Sequence, residues 1–449
     1  MRHVTIATVL AVFLLGTIPS CQPGGSDSGQ SESETANEAA NTADNGSPAV
    51  GEATPELPAD DPDAIAALEE KLFTLKRDDS GRVVAFDNAR REVTDADVQL
   101  LVKLPNLTSV QLYGPEITNA SIDYVKELPH LADLSLENSA VDDSGAEQLA
   151  TVTTLHKLNL RRTNIMDAAL EHLTELPNLT HLILMYTNIS DEGLRHVAEM
   201  PRLVALDLRG CFIMDIGLEY LTPMTQLRSL KLRSSEIYDE GVAHLATLEN
   251  LEALTIEDTQ LSGEGVAALA GLTKLRELIL FRNTSLQSDG VAHLAGLTNL
   301  VRLSLRDTRV DDASLANLAG LTSLAFLDLS ETPIGDEGLA QLSGLTGLQS
   351  LRLWNTQVTD AGLAHLSGMS QLRELVLENC QITDEGMPHI AALKSLENLV
   401  LKTTQVSDEG LKHLEQLAGL KQLDLTQTSC SSEGVALLRH ALPGAEITF

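Results

Sequence analysis

The chain of 449 residues is 43% hydrophobic but only 3% aromatic, and its formal charge is −33. That charge excludes a nucleic-acid binder, whose ligand needs a basic footprint, and argues against lying on an anionic membrane surface. The apolar content suffices for a long core, and with so few aromatics that core must be aliphatic.

Arg2 and His3 precede an apolar run, Val4 to Ile18, that is too short for a comfortable membrane span. The run ends in Ile18-Pro19-Ser20-Cys21, with Ile18 standing where ordinary signal cleavage needs a small residue. This ending resembles a bacterial lipobox, in which the Cys after the apolar run is lipidated and becomes the mature N-terminus; Pro19 is an unusual residue there. The resemblance implies a signal peptide over 1–21 and lipidation at Cys21. It further implies an exported lipoprotein, membrane-anchored and facing the periplasm or the cell exterior. A signal cleaved elsewhere and an uncleaved anchor are the alternatives. Residues 22–63 are rich in small polar residues and hold ten acids and no Lys or Arg. Such a stretch cannot bury enough apolar surface to fold and reads as a disordered acidic tether, roughly 35–40 Å or more end to end.

Residues 64–82 read as an N-terminal cap. Asp63 stands as an N-cap before Ile65, Leu68 and Leu72 at helical spacing. Phe73 to Arg77 and Arg82 to Phe86 flank Asp78-Asp79-Ser80-Gly81, a turn between two strands.

Residues 83–443 repeat. The unit Leu155 to Asn178, numbered from its first Leu, has apolar residues at positions 1, 4, 6, 11, 16, 19 and 22. Position 1 recurs from Leu107 to Leu420 every 24 residues, except for one step of 25 between Leu275 and Leu300. These are fourteen units, and a weaker one from Val83 makes fifteen. Positions 4 and 6 alternate like a strand, and 16, 19 and 22 step by three like a short helix. One unit exposes its apolar edges on both sides, so only stacking buries them. The expected fold is an α/β solenoid, a horseshoe with a parallel sheet on its concave face and short helices on its convex face. Its inner arc would be roughly 70 Å. Residues 444–449, after Pro443, read as a closing strand.

This pattern resembles the leucine-rich-repeat superfamily over residues 83–449. Thr383-Asp384-Glu385-Gly386 and Gly362-Leu363-Ala364-His365-Leu366 look like the repeats of bacterial leucine-rich-repeat lipoproteins. They are also similar to the cysteine-containing repeats of eukaryotic F-box proteins. The resemblance is specific for fold and says little about partner.

Several columns invite a chemical reading. Position 9 is a row of small polar residues such as Thr163, Thr187, Cys211, Thr308 and Cys380. No His or acid pairs with the row, so it reads as the turn that ends each strand rather than as nucleophiles. Cys211, Cys380 and Cys430 lie too many units apart for disulfides and read as free, buried thiols. Position 13 is usually Asp, as in Asp95, Asp167, Asp336 and Asp408. It reads as a helix N-cap, because one carboxylate per turn supplies too few oxygens for calcium. Seven histidines, from His172 to His413, share position 18 beside the buried Leu of the outer helix, too widely spaced there to share an ion. No motif for a nucleophile, a nucleotide, a metal or another cofactor is present.

Positions 3, 5, 7 and 8 point from the strand toward the concave face. They carry twelve bases and thirteen acids, so the excess negative charge lies elsewhere. Phe281, Arg282, Arg302, Arg306, Phe326, Arg352 and Trp354 fall on four consecutive units and are expected to form one patch, with the exposed Trp354 as its anchor. Arg161, Arg162, Tyr186, Arg209 and Arg233, with Lys157 and Lys231, form a more basic rival suited to an acidic ligand. The sequence thus points to a non-catalytic, monomeric scaffold, lipid-anchored, that binds a protein on its concave face. The alternatives are a glycan-binding envelope protein and, by the F-box resemblance, a substrate receptor in ubiquitin ligation.

Overall fold

The computed structural model describes residues 58–449; Cys21, the apolar run before it and the acidic stretch up to residue 57 lie outside the described residues. The first element is a helix, α1 (Pro62–Glu70). Its N-cap is Asp61, not Asp63: the Asp61 carboxylate accepts the backbone N–H groups of Asp63 and Ala64. Pro62, with no N–H to lose and φ already helical, belongs just inside a helix start, and this places the cap two residues upstream of Asp63. The expected boundary at 63/64 therefore falls inside α1. Leu72 also departs from expectation. It follows the helix in a left-handed conformation (φ 61°) and is exposed, so α1 buries Ala64 and Leu68 instead.

Two strands, β1 (Thr74–Arg77) and β2 (Val83–Asp87), pair antiparallel across the Asp78 turn. The Asp78 carboxylate accepts the N–H groups of Ser80 and Arg82, and Phe73 meets Phe86 edge to face. From β2 onward every pairing is parallel, and the whole forms one sheet of 17 strands. The register is constant: Leu134, Leu158, Leu182 and Leu206 stand side by side, as do their counterparts in each later unit. The 25-residue step leaves this register intact, with Glu277 opposite Arg302, so the extra residue is taken up in the loop after the strand. In the Leu155 unit the seven apolar positions are all 4% exposed or less. Each such Leu contributes about 1.5–3 kcal/mol by leaving water.

The Asp column does something the isolated unit could not reveal. These residues are the first helical residues, and the N-cap is the residue before them at position 12. Each Asp side chain instead reaches into the following unit. Asp360 accepts the backbone N–H of Thr383 at 2.9 Å and its hydroxyl at 2.6 Å; Asp408 does the same for Ser431 at 2.7 and 2.6 Å. The position-12 hydroxyl in turn accepts an N–H of its own helix, as Thr383 does from Glu385. The expected N-cap role thus belongs to position 12, and Asp latches one repeat to the next. The latch explains the Gly at position 15. A Cβ at Gly193, Gly362 or Gly386 would lie 2.4–2.5 Å from the Asp carboxylate of the preceding unit.

Position 8 holds a second unforeseen column. It adopts positive φ in every unit from Val83 onward except at Ser234, mostly with non-glycine residues such as Arg162 (54°), Tyr186 (58°) and Glu331 (59°). This conformation is disfavoured for L-residues by about 1–2 kcal/mol each. The stack holds it because the strand must turn sharply toward the outer helix. Position-8 side chains consequently meet one another along the arc, as Asn379 does by donating to Asn355 at 2.7 Å.

Candidate functional site

The constant register lays positions 3, 5 and 7 of neighbouring strands side by side on the inner face. There the structure brings together all seven residues of the first patch. Arg302 stacks on the Phe326 ring at 3.7 Å and Arg352 meets the same ring at 5.1 Å. Arg306 lies 4.9 Å from the Phe281 ring and 4.8 Å from the Trp354 ring, and Arg282 lies 5.2 Å from Phe281. Arg306 and Trp354 are two units apart. They meet because Ser330, between them at position 7, is small and buried. Trp354 was expected to be exposed; it is half-buried, because Arg306 covers part of the indole.

Each arginine of this cluster also has a carboxylate. Arg282 pairs with Asp307 at 3.4 Å, Arg302 with Glu277 at 3.8 Å, Arg306 with Glu331 at 3.0 Å and Arg352 with Glu374 at 3.2 Å. Single surface pairs of either kind stabilise little, about 0.5–1 kcal/mol. Their joint effect is to fix four long side chains and three rings in one arrangement, which lowers the ordering cost of binding.

The second patch is built differently. Tyr186 lies against Gly210, where a Cβ would stand 2.3 Å from the ring. Arg162 stacks on that ring at 5.3 Å, and its hydroxyl accepts from Arg233 at 3.1 Å. Arg161 pairs with Glu137 at 3.3 Å, Arg209 with Asp207 at 2.7 Å and Arg233 with Asp258 at 3.2 Å. Asp258 also lies 3.9 Å from Arg282, so the two patches meet at this carboxylate. Lys157, Arg162 and Lys231 have no carboxylate partner among the described residues. His181, beside them, has its pKa lowered by burial and by Lys157, which keeps the ring neutral.

The position-9 row is occupied with the turn. The hydroxyls of Thr163, Thr187 and Thr308 donate to the carbonyl three residues back at 2.6 Å. Cys211 and Cys380 donate to Leu184 and Leu353 of the preceding unit. Burial pushes the Cys211 thiol up to about 11 and raises Cys380 as well, which leaves little nucleophilic thiolate. Cys430, read from the sequence as buried, is half-buried. Among the described residues no three His, Cys, Asp or Glu side chains converge in a way that could hold a metal.

Sequence reasoning missed a strip on the rim, between strands and helices. Met166, Met214 and Tyr238 occupy position 12, with Phe212 at position 10 and Ile216 at position 14, and all five are exposed. The signal was available: they interrupt columns that are otherwise polar or small. The substitution at position 12 has a cost. With Met214 in place of a hydroxyl, Asp191 accepts the backbone N–H of Met214 but no side-chain donor, and its Oδ2 is buried without a partner. Burial raises the Asp191 pKa, whereas the Ser431 hydroxyl and N–H hold Asp408 below the usual range. A raised acid pKa means that the folded state keeps its proton to higher pH than the unfolded chain. This group's contribution is therefore full below the ordinary Asp value and is lost as pH rises through the raised one. Met214→Thr restores a donor to Oδ2. It should stabilise the fold at pH 7 by about 0.5–1.5 kcal/mol, and less at pH 4, in urea unfolding. No gain at pH 7 would show that Asp191 is already satisfied.

Solved structures with the same architecture exist. An internalin of Listeria monocytogenes is 24% identical, covers 82% of this chain and 97% of its own, and superposes with a TM-score of 0.55. A leucine-rich-repeat protein of Leptospira interrogans is 21% identical, covers 78% of this chain and 92% of its own, with a TM-score of 0.54. At these identities the likeness speaks for the fold alone. No curated protein matches the chain. The family model described as a leucine-rich repeat region matches residues 190–442, and one for a single leucine-rich repeat matches residues 175–198. With more than half of its length in that match and a 17-stranded repeat sheet, the chain belongs to the leucine-rich-repeat family.

Proposed function

We propose that the chain is a non-catalytic scaffold that takes a protein ligand on the concave face, at the cluster around Trp354. The observation that carries this reading is the interlocked set of arginines and rings over four strands, with Arg306 joining Phe281 to Trp354. Aromatic rings held beside arginines on a curved sheet give large contact area at low entropic cost. In the same reading Cys21 carries a lipid, and the acidic stretch after it holds the solenoid away from a membrane. The apolar run ending at Cys21 and the ten acids without a base support this part.

The chain contains one Trp, so its fluorescence reports on this cluster alone. A ligand captured from the native host should shift that emission. Trp354→Ala should weaken the ligand by about 2 kcal/mol or more and leave thermal unfolding nearly unchanged. Arg306→Ala should weaken it as well, and by more at low salt than at high salt, because the lost charge is the part that salt screens. If Trp354→Ala unfolds the protein, or neither variant alters binding, the assignment to this cluster fails.

A further inference from the structure

Nine large hydrophobic residues are exposed among the described residues. Leu72, Leu437 and Phe449 lie near the two ends of the stack. The other six, Met166, Tyr186, Phe212, Met214, Ile216 and Tyr238, all belong to the four units that begin at Leu155, Leu179, Leu203 and Leu227. No other unit has an aromatic at position 10 or a large aliphatic at position 14. Three of these residues displace the helix-capping hydroxyl or carboxylate, and Met214 leaves the Asp191 Oδ2 buried and unpaired. The fold therefore gives up hydrogen bonds to keep this rim apolar.

The inner face of the same four units is basic. Its inner positions carry six bases, Lys157, Arg161, Arg162, Arg209, Lys231 and Arg233, against one acid, Asp207, in a chain of formal charge −33, and the flanking units add Glu137 beside Arg161, Glu257 beside Arg209 and Asp258 beside Arg233. Between the bases runs the strand with Ile183 and Met185 at positions 5 and 7, half-buried and uncharged. Tyr186, set against Gly210, carries the apolar surface from this strand to the rim, where Phe212 follows two residues later.

We propose that this basic strand face and its apolar rim form a second docking surface, which adjoins the Trp354 cluster at Asp258 but lies on other units, for an extended acidic peptide segment of a partner protein. Lys157 and Lys231 stand on strands three apart, about 14 Å, which matches carboxylates about four residues apart on an extended chain. Apolar residues between those carboxylates lie over Ile183 and Met185, and others turn outward onto Phe212 and Met214. A nucleic acid would use the cations but not the rim. A bilayer, flat on this scale, cannot enter a concave face.

The test is a selection of random twelve-residue peptides displayed on phage against the purified full chain. Binding of the resynthesised winners is then measured by fluorescence anisotropy. The expected winners combine acidic with apolar residues. Phe212→Ser and the pair Lys157→Glu/Lys231→Glu each weaken them about tenfold or more, and Trp354→Ala leaves them unchanged. Met214→Thr keeps misfolding from mimicking the result, because it should unfold at a higher temperature than the wild type while binding more weakly. Winners without an acidic and apolar bias, winners indifferent to Phe212→Ser, or no winners at all overturn the proposal. Winners lost only in Trp354→Ala overturn it too and support the other cluster instead. A dimer in light scattering that Phe212→Ser dissolves would make the occupant a second copy. Sedimentation with phosphatidylglycerol vesicles that the same change abolishes would make it a lipid surface. Either outcome also overturns the proposal.

Discussion

Gly386→Val should destabilise the solenoid by about 3 kcal/mol or more in denaturant unfolding, although Gly386 touches neither face of the sheet. A Cβ at Gly386 would stand 2.4 Å from Oδ1 of Asp360 and 2.8 Å from Cδ1 of Leu363, and a branched side chain adds two more atoms there. Either the helices of the Leu348 and Leu372 units move apart or Asp360 turns away. The second outcome strips Thr383 of the acceptors for both its N–H and its hydroxyl. A solenoid is stabilised interface by interface, so the damage should be local. Hydrogen exchange should rise first in these two units. Gly386→Ala should cost less, since Ala169 already occupies this position next to Asp143. Combined with Asp360→Ala it should cost less than the sum of the two single changes, because the clash and the latch involve the same atoms. Gly271→Ala, with open space around the added carbon, serves as the control and should be nearly neutral. Additive single changes, or a mild Gly386→Val, would show that the carboxylate is not held at this glycine.

Asn283→Ala should cost about 2–4 kcal/mol, a large loss for one side chain in a turn. Asn283 is fully buried. Its Oδ1 accepts both the N–H of Thr259 (3.1 Å) and the Thr259 hydroxyl (2.6 Å), and its Nδ2 donates to the carbonyl of Ile256 at 2.8 Å. These bonds tie the Leu251 unit to the Leu275 unit, the junction where the Asp latch is absent. Gly263 stands at position 13 of the Leu251 unit, with no side chain to reach forward. Elsewhere a substitute is present: Asn119 accepts from the N–H of Asp142, and Ser288 from that of Asp311. Asn283 therefore secures the weakest junction of the stack, next to the 25-residue unit. Removing it leaves buried donors and an acceptor unmatched and should make the amide of Thr259 exchange much faster. A loss below about 0.5 kcal/mol would mean that the apolar contacts alone hold this junction.

The arithmetic of the repeat made the fold legible before any coordinates. Leu at positions 1, 4 and 6 and apolar residues at 11, 16, 19 and 22 are buried for a reason that acts inside every unit. A strand alternates, a short helix steps by three, and only stacking covers both. The membership of the Trp354 cluster was also legible, since a constant register turns a column position into a place on the sheet. Its internal pairing was not. Whether Arg306 serves Phe281, Trp354 or Glu331 depends on side-chain direction and on the small Ser330 between them.

The Asp column shows the limit most plainly. Within one unit, Asp before a helical spacing satisfies every rule for an N-cap. Asp336 nevertheless bonds Thr359, 23 residues away, and that separation belongs to no local pattern. The left-handed backbone at position 8 is equally non-local, because residues as unsuited to it as Arg162 and Glu331 adopt it under the geometry of the stack. Periodicity dictated which side chains leave water, since burial depends on the spacing within a unit. The partners of the polar side chains were decided by contacts between units, because hydrogen bonds and ion pairs are short and directional and their donors and acceptors meet only once the repeats have stacked.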